Sequence, residues 1–116
     1  MIREKGADVV VVWTTFPGDG DPAPLAQTLV SECLAACVTT QAGLRSVYRW
    51  QDAVEEAAEY QLVIKTTADR VERLEQRISE LHPYDVPEFL VIPVRDGSAR
   101  YIDWIESATH PGDTSG

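Results

Sequence analysis

The chain has few basic residues and few of the side chains that usually carry catalysis. Its 116 residues include 10 Lys and Arg against 19 Asp and Glu, which gives a net charge of −9. A chain this acidic repels phosphate backbones and anionic lipids, so we expect neither nucleic acid nor a membrane among its partners. No apolar run approaches the roughly 20 residues that cross a bilayer. No nucleophile motif and no phosphate-binding glycine loop occurs, so we do not expect an enzyme.

Cysteine is equally scarce, with only Cys33 and Cys37 present. Two cysteines do not make a disulfide framework, and their spacing is not the CxxC of zinc ribbons or thioredoxins. They would share one helical face if the helix around them continued that far. We interpret them as small buried side chains, with a redox or metal pair as the alternative. A reducing, cytoplasmic location fits both interpretations.

The first half of the chain predicts a strand, a helix and a long hairpin. Val9–Thr15 is an apolar run typical of a buried strand. Asp21 can cap a following helix, with Pro22 at its first position. The segments Cys37–Trp50 and Glu59–Thr67 then have the composition of two strands joined by a turn.

The second half predicts a helix, a strand and a final helix. Asp69 and Glu72 have the spacing of a capping box at the start of the second helix. Phe89–Val94 is another apolar strand, and Ser98 can cap a last short helix. The order β-α-β-β-α-β with an added C-terminal helix is the split βαβ pattern of a ferredoxin-like α+β sandwich.

We predict one domain over residues 9–108, an N-terminal extension over 1–8 and a flexible tail over 109–116. In such a sandwich both main helices cover the same face of an antiparallel sheet. The strands carry apolar residues on both faces, so a monomer would leave a large apolar face uncovered. The pattern therefore predicts an oligomer.

Six strings in order carry a resemblance to a known family: VVVVWTTFP, LVSECLAACV, SVYRW, EYQLVIKT, HPYDVPEFLVIPV and YIDWI. The chain resembles the CutA family of divalent-cation tolerance proteins. The resemblance implies ferredoxin-like subunits in a tight homotrimer, arranged like PII signal proteins, with a role in tolerance to divalent metals, especially copper. Some members have a cysteine where this chain has Trp13, so a copper site that uses that thiol does not carry over.

The candidate metal ligands are His82 and Glu88, which lie six residues apart across a turn. A neutral imidazole and a carboxylate suit Cu or Zn. A third ligand would have to come from another strand or subunit. The alternative for His82 is structural, because a histidine at a helix C-terminus interacts favourably with the helix dipole.

A second set of residues is predicted to line a cleft between subunits. Lys65 closes an apolar strand and Glu59 shares its face, so each needs a partner, either a salt bridge or a bound ion. Aromatic residues are common at subunit contacts. The predicted cleft residues are Trp50, Glu59, Lys65, Tyr84, Tyr101 and Trp104. The alternative function is a PII-like regulatory or scaffold trimer that binds a small ligand or a protein partner there.

Overall fold

The computed structural model describes residues 2–3 and 8–112, and of residues 2–3 only the backbone. Within these ranges there are six strands and three α-helices. The strands are β1 (Ile2–Arg3), β2 (Val9–Pro17), β3 (Cys37–Trp50), β4 (Ala53–Thr67), β5 (Leu90–Pro93) and β6 (Gly97–Ser98). The helices are α1 (Ala23–Ser31), α2 (Val71–Leu81) and α3 (Ala99–Thr109).

The main sheet has four antiparallel strands in the order β3-β4-β2-β5. The element order from β2 to β5 is the predicted β-α-β-β-α-β. A second sheet was not predicted: Ile2 and Arg3 pair with Ser98 and Gly97. Part of the predicted N-terminal extension is therefore a strand.

Helix α1 begins and ends with backbone groups satisfied locally. The helix begins at Ala23 with Pro22 at the N-cap, one residue later than predicted, and the Asp21 Oδ1 accepts a hydrogen bond from the Ala23 N–H at 3.0 Å. At the other end Cys33 has a positive φ of 60°, and the N–H of Leu34 returns to the Leu29 carbonyl at 3.0 Å. This is a Schellman-type ending. The helix therefore stops at Ser31, and the two cysteines do not share a helical face.

The start of helix α2 differs from the prediction. A single 3-10 turn, Ala68–Arg70, precedes the helix, and no side chain caps it. Asp69 instead accepts a hydrogen bond from the Thr67 hydroxyl and pairs with His110. The predicted Asp69–Glu72 capping box is wrong, because the 3-10 turn moves the first turn of the helix beyond Asp69.

Strands β3 and β4 form a hairpin that reaches well beyond the helices. Their pairing shifts register between Gln41 and Leu44, where Gly43 has a φ of 80°. The turn consists of Gln51 and Asp52 alone, both with positive φ, as in a type I′ turn. Strand β4 therefore starts at residue 53, six residues before the predicted start. The hairpin gives the molecule extents of 50 × 25 × 23 Å.

Alternation along the strands gives the sheet two different faces. The covered face packs against α1 and α2 and includes Val10, Val12, Thr14, Phe16, Leu62, Ile64 and Thr66. The open face includes Val11, Trp13, Thr15, Gln61, Val63, Lys65, Leu90 and Ile92. Val12, Leu62 and Ile64 are 0% exposed, whereas Trp13 is 42% exposed. The larger core thus lies between the covered face and helices α1 and α2.

Helix α3 covers one end of the open face. Ile102 and Ile105 pack with Val9 and Ala36 in a second, smaller core. The Ser98 hydroxyl accepts a hydrogen bond from the Tyr101 N–H at 3.2 Å, which confirms the predicted cap. Across the described part of the chain, no helix combines the length and the apolar character required to cross a bilayer.

The end of α3 reaches further than the predicted domain boundary at residue 108. Thr109 belongs to the helix and is buried, and its carbonyl accepts two hydrogen bonds from the Arg70 guanidinium, at 2.7 and 3.1 Å. His110 then contacts Asp69. Both were expected in the tail. Residues 113–116 of that tail lie outside the described residues.

Candidate functional site

A pocket of about 480 Å³ lies where the outer half of the hairpin, from Ser46 to Trp50 on β3, meets the loop between α2 and β5. A volume of this size is within the usual range for small-molecule sites. Its walls come from β2, β3, β4 and that loop: Thr15, Ser46, Tyr48, Trp50, Glu59, Tyr84, Asp85, Val86, Pro87 and Glu88. Three aromatic rings and three carboxylates are therefore brought together in one place.

The carboxylate of Glu59 is the most enclosed charged group in the pocket. It projects from the open face of β4 and is only 7% exposed. Its Oε2 accepts a hydrogen bond from the Tyr84 hydroxyl at 3.1 Å. Burial and the bond to Glu59 raise the pKa of Tyr84 to about 12, so the phenol stays protonated at neutral pH. Tyr84 is thus a stable donor to the carboxylate.

His82 fixes the loop that carries Tyr84. Its ring is 8% exposed and lies between the rings of Phe16 and Tyr84, with centroids at 5.3 and 5.0 Å. The Tyr84 N–H donates to Nδ1 at 3.0 Å, and Nε2 lies 2.6 Å from the Thr15 carbonyl. A neutral ring with its proton on Nε2 satisfies both contacts.

Both nitrogens of His82 are therefore engaged inside the protein. A metal ion could reach the imidazole only by displacing the Tyr84 N–H or the Thr15 carbonyl. The proposed structural role of His82 has a concrete basis in these bonds. It differs from the expected interaction with the helix dipole, because the ring anchors the loop to β2.

Glu88 lines the same pocket and is held by a side chain that the sequence did not single out. The Gln61 amide donates to the Thr14 carbonyl at 2.8 Å and to the Glu88 Oε2 at 3.3 Å. Gln61 and His82 thus attach the two ends of the loop to consecutive carbonyls of β2. The even spacing of Glu59, Gln61 and Val63 on one strand face was the available signal for Gln61.

The predicted cleft residues separate into two groups. Trp50, Glu59 and Tyr84 line the pocket. Lys65 lies at the other end of the open face, where its Nζ is 3.3 Å from the Tyr101 hydroxyl and 5.6 Å from the centre of that ring. Tyr101 in turn contacts Trp104, with ring centroids 5.4 Å apart. Lys65, Tyr101 and Trp104 form this second group, against α3.

No group of three or more His, Cys, Asp and Glu side chains within residues 8–112 is arranged to hold a metal ion. Cys33 and Cys37 are free and half-buried. Cys37 lies opposite Lys65 in the sheet, and its sulfur is 3.8 Å from the Thr39 hydroxyl. A metal centre in a single subunit would therefore need ligands beyond those the described residues bring together.

The fold and the site define an α+β protein with an uncovered sheet face and an acidic, aromatic pocket beside it. The sequence model of the CutA1 divalent ion tolerance protein matches residues 10–108. The chain belongs to this CutA1 family.

Individual relatives agree with this assignment. The chain is 42% identical to the divalent-cation tolerance protein CutA of Thermus thermophilus, over 85% of this chain and 96% of that protein. It is 39% identical to the CutA of Pectobacterium atrosepticum, over 87% of this chain and 92% of that one. The solved structure of CutA from Synechococcus elongatus superimposes with a TM-score of 0.87 at 36% identity, covering 94% of this chain and 96% of that chain.

Proposed function

We propose that this chain is a subunit of a cytoplasmic homotrimer that contributes to tolerance of divalent metal ions such as copper or zinc. The subunit would be ferredoxin-like, and the trimer would be arranged like those of PII proteins. Family membership supports the role in metal tolerance. The observation that carries the assembly is the open face of the sheet. The proposed role is that of a binding protein and not of an enzyme.

The open face has the composition of an interface and not of a solvated surface. Trp13 pairs across the strands with Leu90, and Val11 pairs with Ile92. Leu90 and Ile92 are 56% and 41% exposed in the single chain. Contiguous apolar patches of this kind usually mark contact surfaces. The number of subunits, three, comes from the resemblance to the family.

The hairpin supports the same proposal. Val47 and Val54, near its tip, are 67% and 69% exposed, and Trp50 is half exposed. A two-stranded ribbon that extends past its own helices has little to pack on within one subunit. Pairing with a neighbouring subunit would bury these side chains.

Glu88 is the proposed metal ligand with an accessible carboxylate, and His82 is the proposed second. For His82 to bind a metal ion, it must give up its bond to Tyr84 or to Thr15. Since the described residues of one subunit do not assemble three ligands, the site would be completed by a neighbouring subunit. A carboxylate, an imidazole and a further donor suit Cu²⁺ or Zn²⁺.

Native mass spectrometry during titration with Cu²⁺ and Zn²⁺ tests this proposal. We expect a species of three chains that takes up about one ion per subunit at low micromolar free metal, which is about −8 kcal/mol per site. Glu88→Gln and His82→Ala should each lose this uptake. Glu75→Gln, on the exposed side of α2, is the matched control. Graded uptake that Glu88→Gln leaves unchanged would contradict the metal site.

The pocket favours a second candidate function, the binding of a small ligand in a PII-like regulatory trimer. The favouring observation is that four elements line this pocket, which has a volume of about 480 Å³. A thermal-shift screen of small molecules tests it. Stabilisation that disappears on Trp50→Ala would support the pocket as a ligand site.

A further inference from the structure

The charges and rings around Glu59 point to one chemical class of ligand for this pocket. None of the ten lining residues is Lys, Arg or His, whereas three are carboxylates: Glu59, Asp85 and Glu88. An anion would meet only like charge there. The pocket as built therefore suits a neutral or a positively charged ligand.

Glu59 makes the positively charged ligand the better fit. A carboxylate that is 7% exposed has lost most of its hydration, and a buried charge needs a partner. Within residues 8–112 its one hydrogen bond is from the Tyr84 hydroxyl. The second oxygen of Glu59 is not fully enclosed, because among the described residues every fully enclosed polar side-chain atom has a hydrogen-bond partner, and Glu59 lines the pocket. That oxygen is free to accept from a ligand.

The aromatic walls distinguish an organic cation from a metal ion. Tyr48, Trp50 and Tyr84 line the pocket together with Glu59. Aromatic faces attract ammonium and guanidinium groups and stack on their apolar bodies. A bare divalent ion would use only the oxygen atoms, and these carboxylates do not converge on a common point.

We infer that this pocket binds a small organic cation, with an ammonium group on Glu59 and an apolar body against Tyr48 and Trp50. The inference deepens the second candidate function and rests on it. Tyr84 and His82 act as positioning residues: Tyr84 orients the Glu59 carboxylate, and His82 holds Tyr84 in place. A cationic side chain from a second copy of the chain presents the same chemistry, so the test must separate the two sources.

The test compares three probes of one shape by isothermal titration calorimetry: benzylammonium, benzyl alcohol and benzoate. We expect benzylammonium to bind the intact protein about tenfold or more tightly than benzyl alcohol, as for a hydrogen bond to a charged group. Benzoate should bind most weakly. In Glu59→Gln, which can still accept from Tyr84, the preference for the cation should disappear. Glu75→Gln is the matched control for the loss of one negative charge.

Tyr84→Phe keeps the inference testable if Glu59→Gln fails to fold. This variant leaves the Glu59 charge in place, so the preference for the cation should survive even if the affinity falls. Equal binding of all three probes would overturn the inference and leave the pocket as a general small-ligand site. If none of the probes bound the intact protein or a dissociated variant, both this inference and the second candidate function would be overturned. Binding only to a dissociated variant, Trp13→Asp, would show that a second copy of the chain supplies the cation. That result would overturn the inference that the pocket binds a free small molecule.

Discussion

The two faces of the main sheet consist of alternate residues of the same strands, yet they differ in burial and in the contacts that they make. On the covered face Leu62 and Ile64 are 0% exposed beneath α1 and α2. On the open face, Trp13 and Leu90 are 42% and 56% exposed. Both faces are rich in apolar side chains. The difference lies in the position of the helices, because α1 and α2 both cover one face, whereas α3 covers only one end of the other.

The polar residues sharpen this comparison. On the covered face they include the buried Thr14 and Thr66, and the Thr66 hydroxyl bonds the Leu34 carbonyl at 2.7 Å. On the open face of β4 are Glu59, Gln61 and Lys65, and each side chain contacts a residue from a loop or from α3. The covered face therefore contributes mainly to the stability of the fold. The open face carries the polar side chains that are available to bind a ligand or a partner.

The largest expected effect comes from placing a charge in the open face. Trp13→Asp puts a carboxylate among Val11, Leu90 and Ile92, and burying it in a subunit contact would cost several kcal/mol. We expect the mass in sedimentation equilibrium to fall from that of a trimer to the 12.8 kDa of one chain. The circular dichroism spectrum should still show a folded subunit.

Gln76→Asp is the control for this substitution. It adds the same charge on the exposed side of α2, away from both faces of the sheet. Its mass should match that of the unmodified protein. A Trp13→Asp protein with unchanged mass would mean that the open face is not the interface.

The next effect compares two adjacent residues on opposite faces. Leu62→Ala creates a cavity in the covered core and should lower the free energy of unfolding by about 2–5 kcal/mol. Val63→Ala removes less buried surface and should lower it by about 1 kcal/mol, mainly through the subunit contact. Urea denaturation at one fixed protein concentration measures both. Equal losses would show that assembly buries the open face as fully as the helices bury the other.

Most of the fold followed from residue patterns because periodicity reports burial directly. The apolar runs indicated the strands, and Ser98 indicated the start of α3 through its hydroxyl oxygen, whereas α1 begins one residue later than Asp21 and Pro22 predicted. The prediction failed at Asp69, because a 3-10 turn precedes the helix and the Asp69 carboxylate bonds the Thr67 hydroxyl and His110, which is 41 residues away. The pairing of Ile2–Arg3 with Gly97–Ser98 was also missed, since a two-residue strand has no periodicity.

The site was harder to predict than the fold. Glu59, Tyr84 and Trp50 were singled out as cleft residues, and the structure brings them into one pocket. Lys65 was grouped with them because it shares a strand face with Glu59, but two positions on that face, Gln61 and Val63, separate them along β4. The hydrogen bonds of His82 depend on how a loop folds back onto β2. Neither spacing nor composition specifies that path.

A smaller effect is expected at the hairpin turn, which is remote from the covered core. Gln51 and Asp52 have φ values of 49° and 66°, in the left-handed region that residues other than Gly, Asn and Asp adopt reluctantly, so the strain falls mainly on Gln51. The double substitution Gln51→Asn and Asp52→Gly should raise the free energy of unfolding by about 1 kcal/mol. Thermal and urea unfolding measure the gain.

The double substitution at the turn also tests whether the hairpin unfolds together with the rest of the subunit. A gain in global stability means that the ribbon and the covered core form one cooperative unit. Increased amide protection near residue 51 without a rise in global stability would instead mean that the tip opens by itself. The single substitution Gln51→Ala, which keeps a strained position, should give no gain.

The smallest effect concerns the contact between His110, just after α3, and Asp69, in the 3-10 turn before α2. His110 Nε2 lies 2.7 Å from the Asp69 Oδ2, and Nδ1 lies 3.0 Å from the Glu106 carbonyl. Asp69 and that carbonyl raise the pKa of His110 above its ordinary 6.5. The Thr67 hydroxyl and then His110 lower the pKa of Asp69 below 3.8. Only the protonated imidazole donates from both nitrogens.

The sign of the pH dependence follows from these two shifts. A raised pKa in His110 stabilises the folded chain fully below pH 6.5, and this is lost as the pH rises through the folded value. The lowered pKa of Asp69 stabilises it above pH 3.8 and is lost as the pH falls through its own folded value. His110→Ala should therefore cost about 0.2–1 kcal/mol near pH 5.5, since solvent screens this partly exposed pair, and less near pH 9. The comparison is made by urea denaturation at both pH values.

Asp69→Asn should show the same pH dependence, because it removes the carboxylate that stabilises the protonated His110. A cost that is equal at both pH values would show that packing, and not charge, holds α3 against the start of α2.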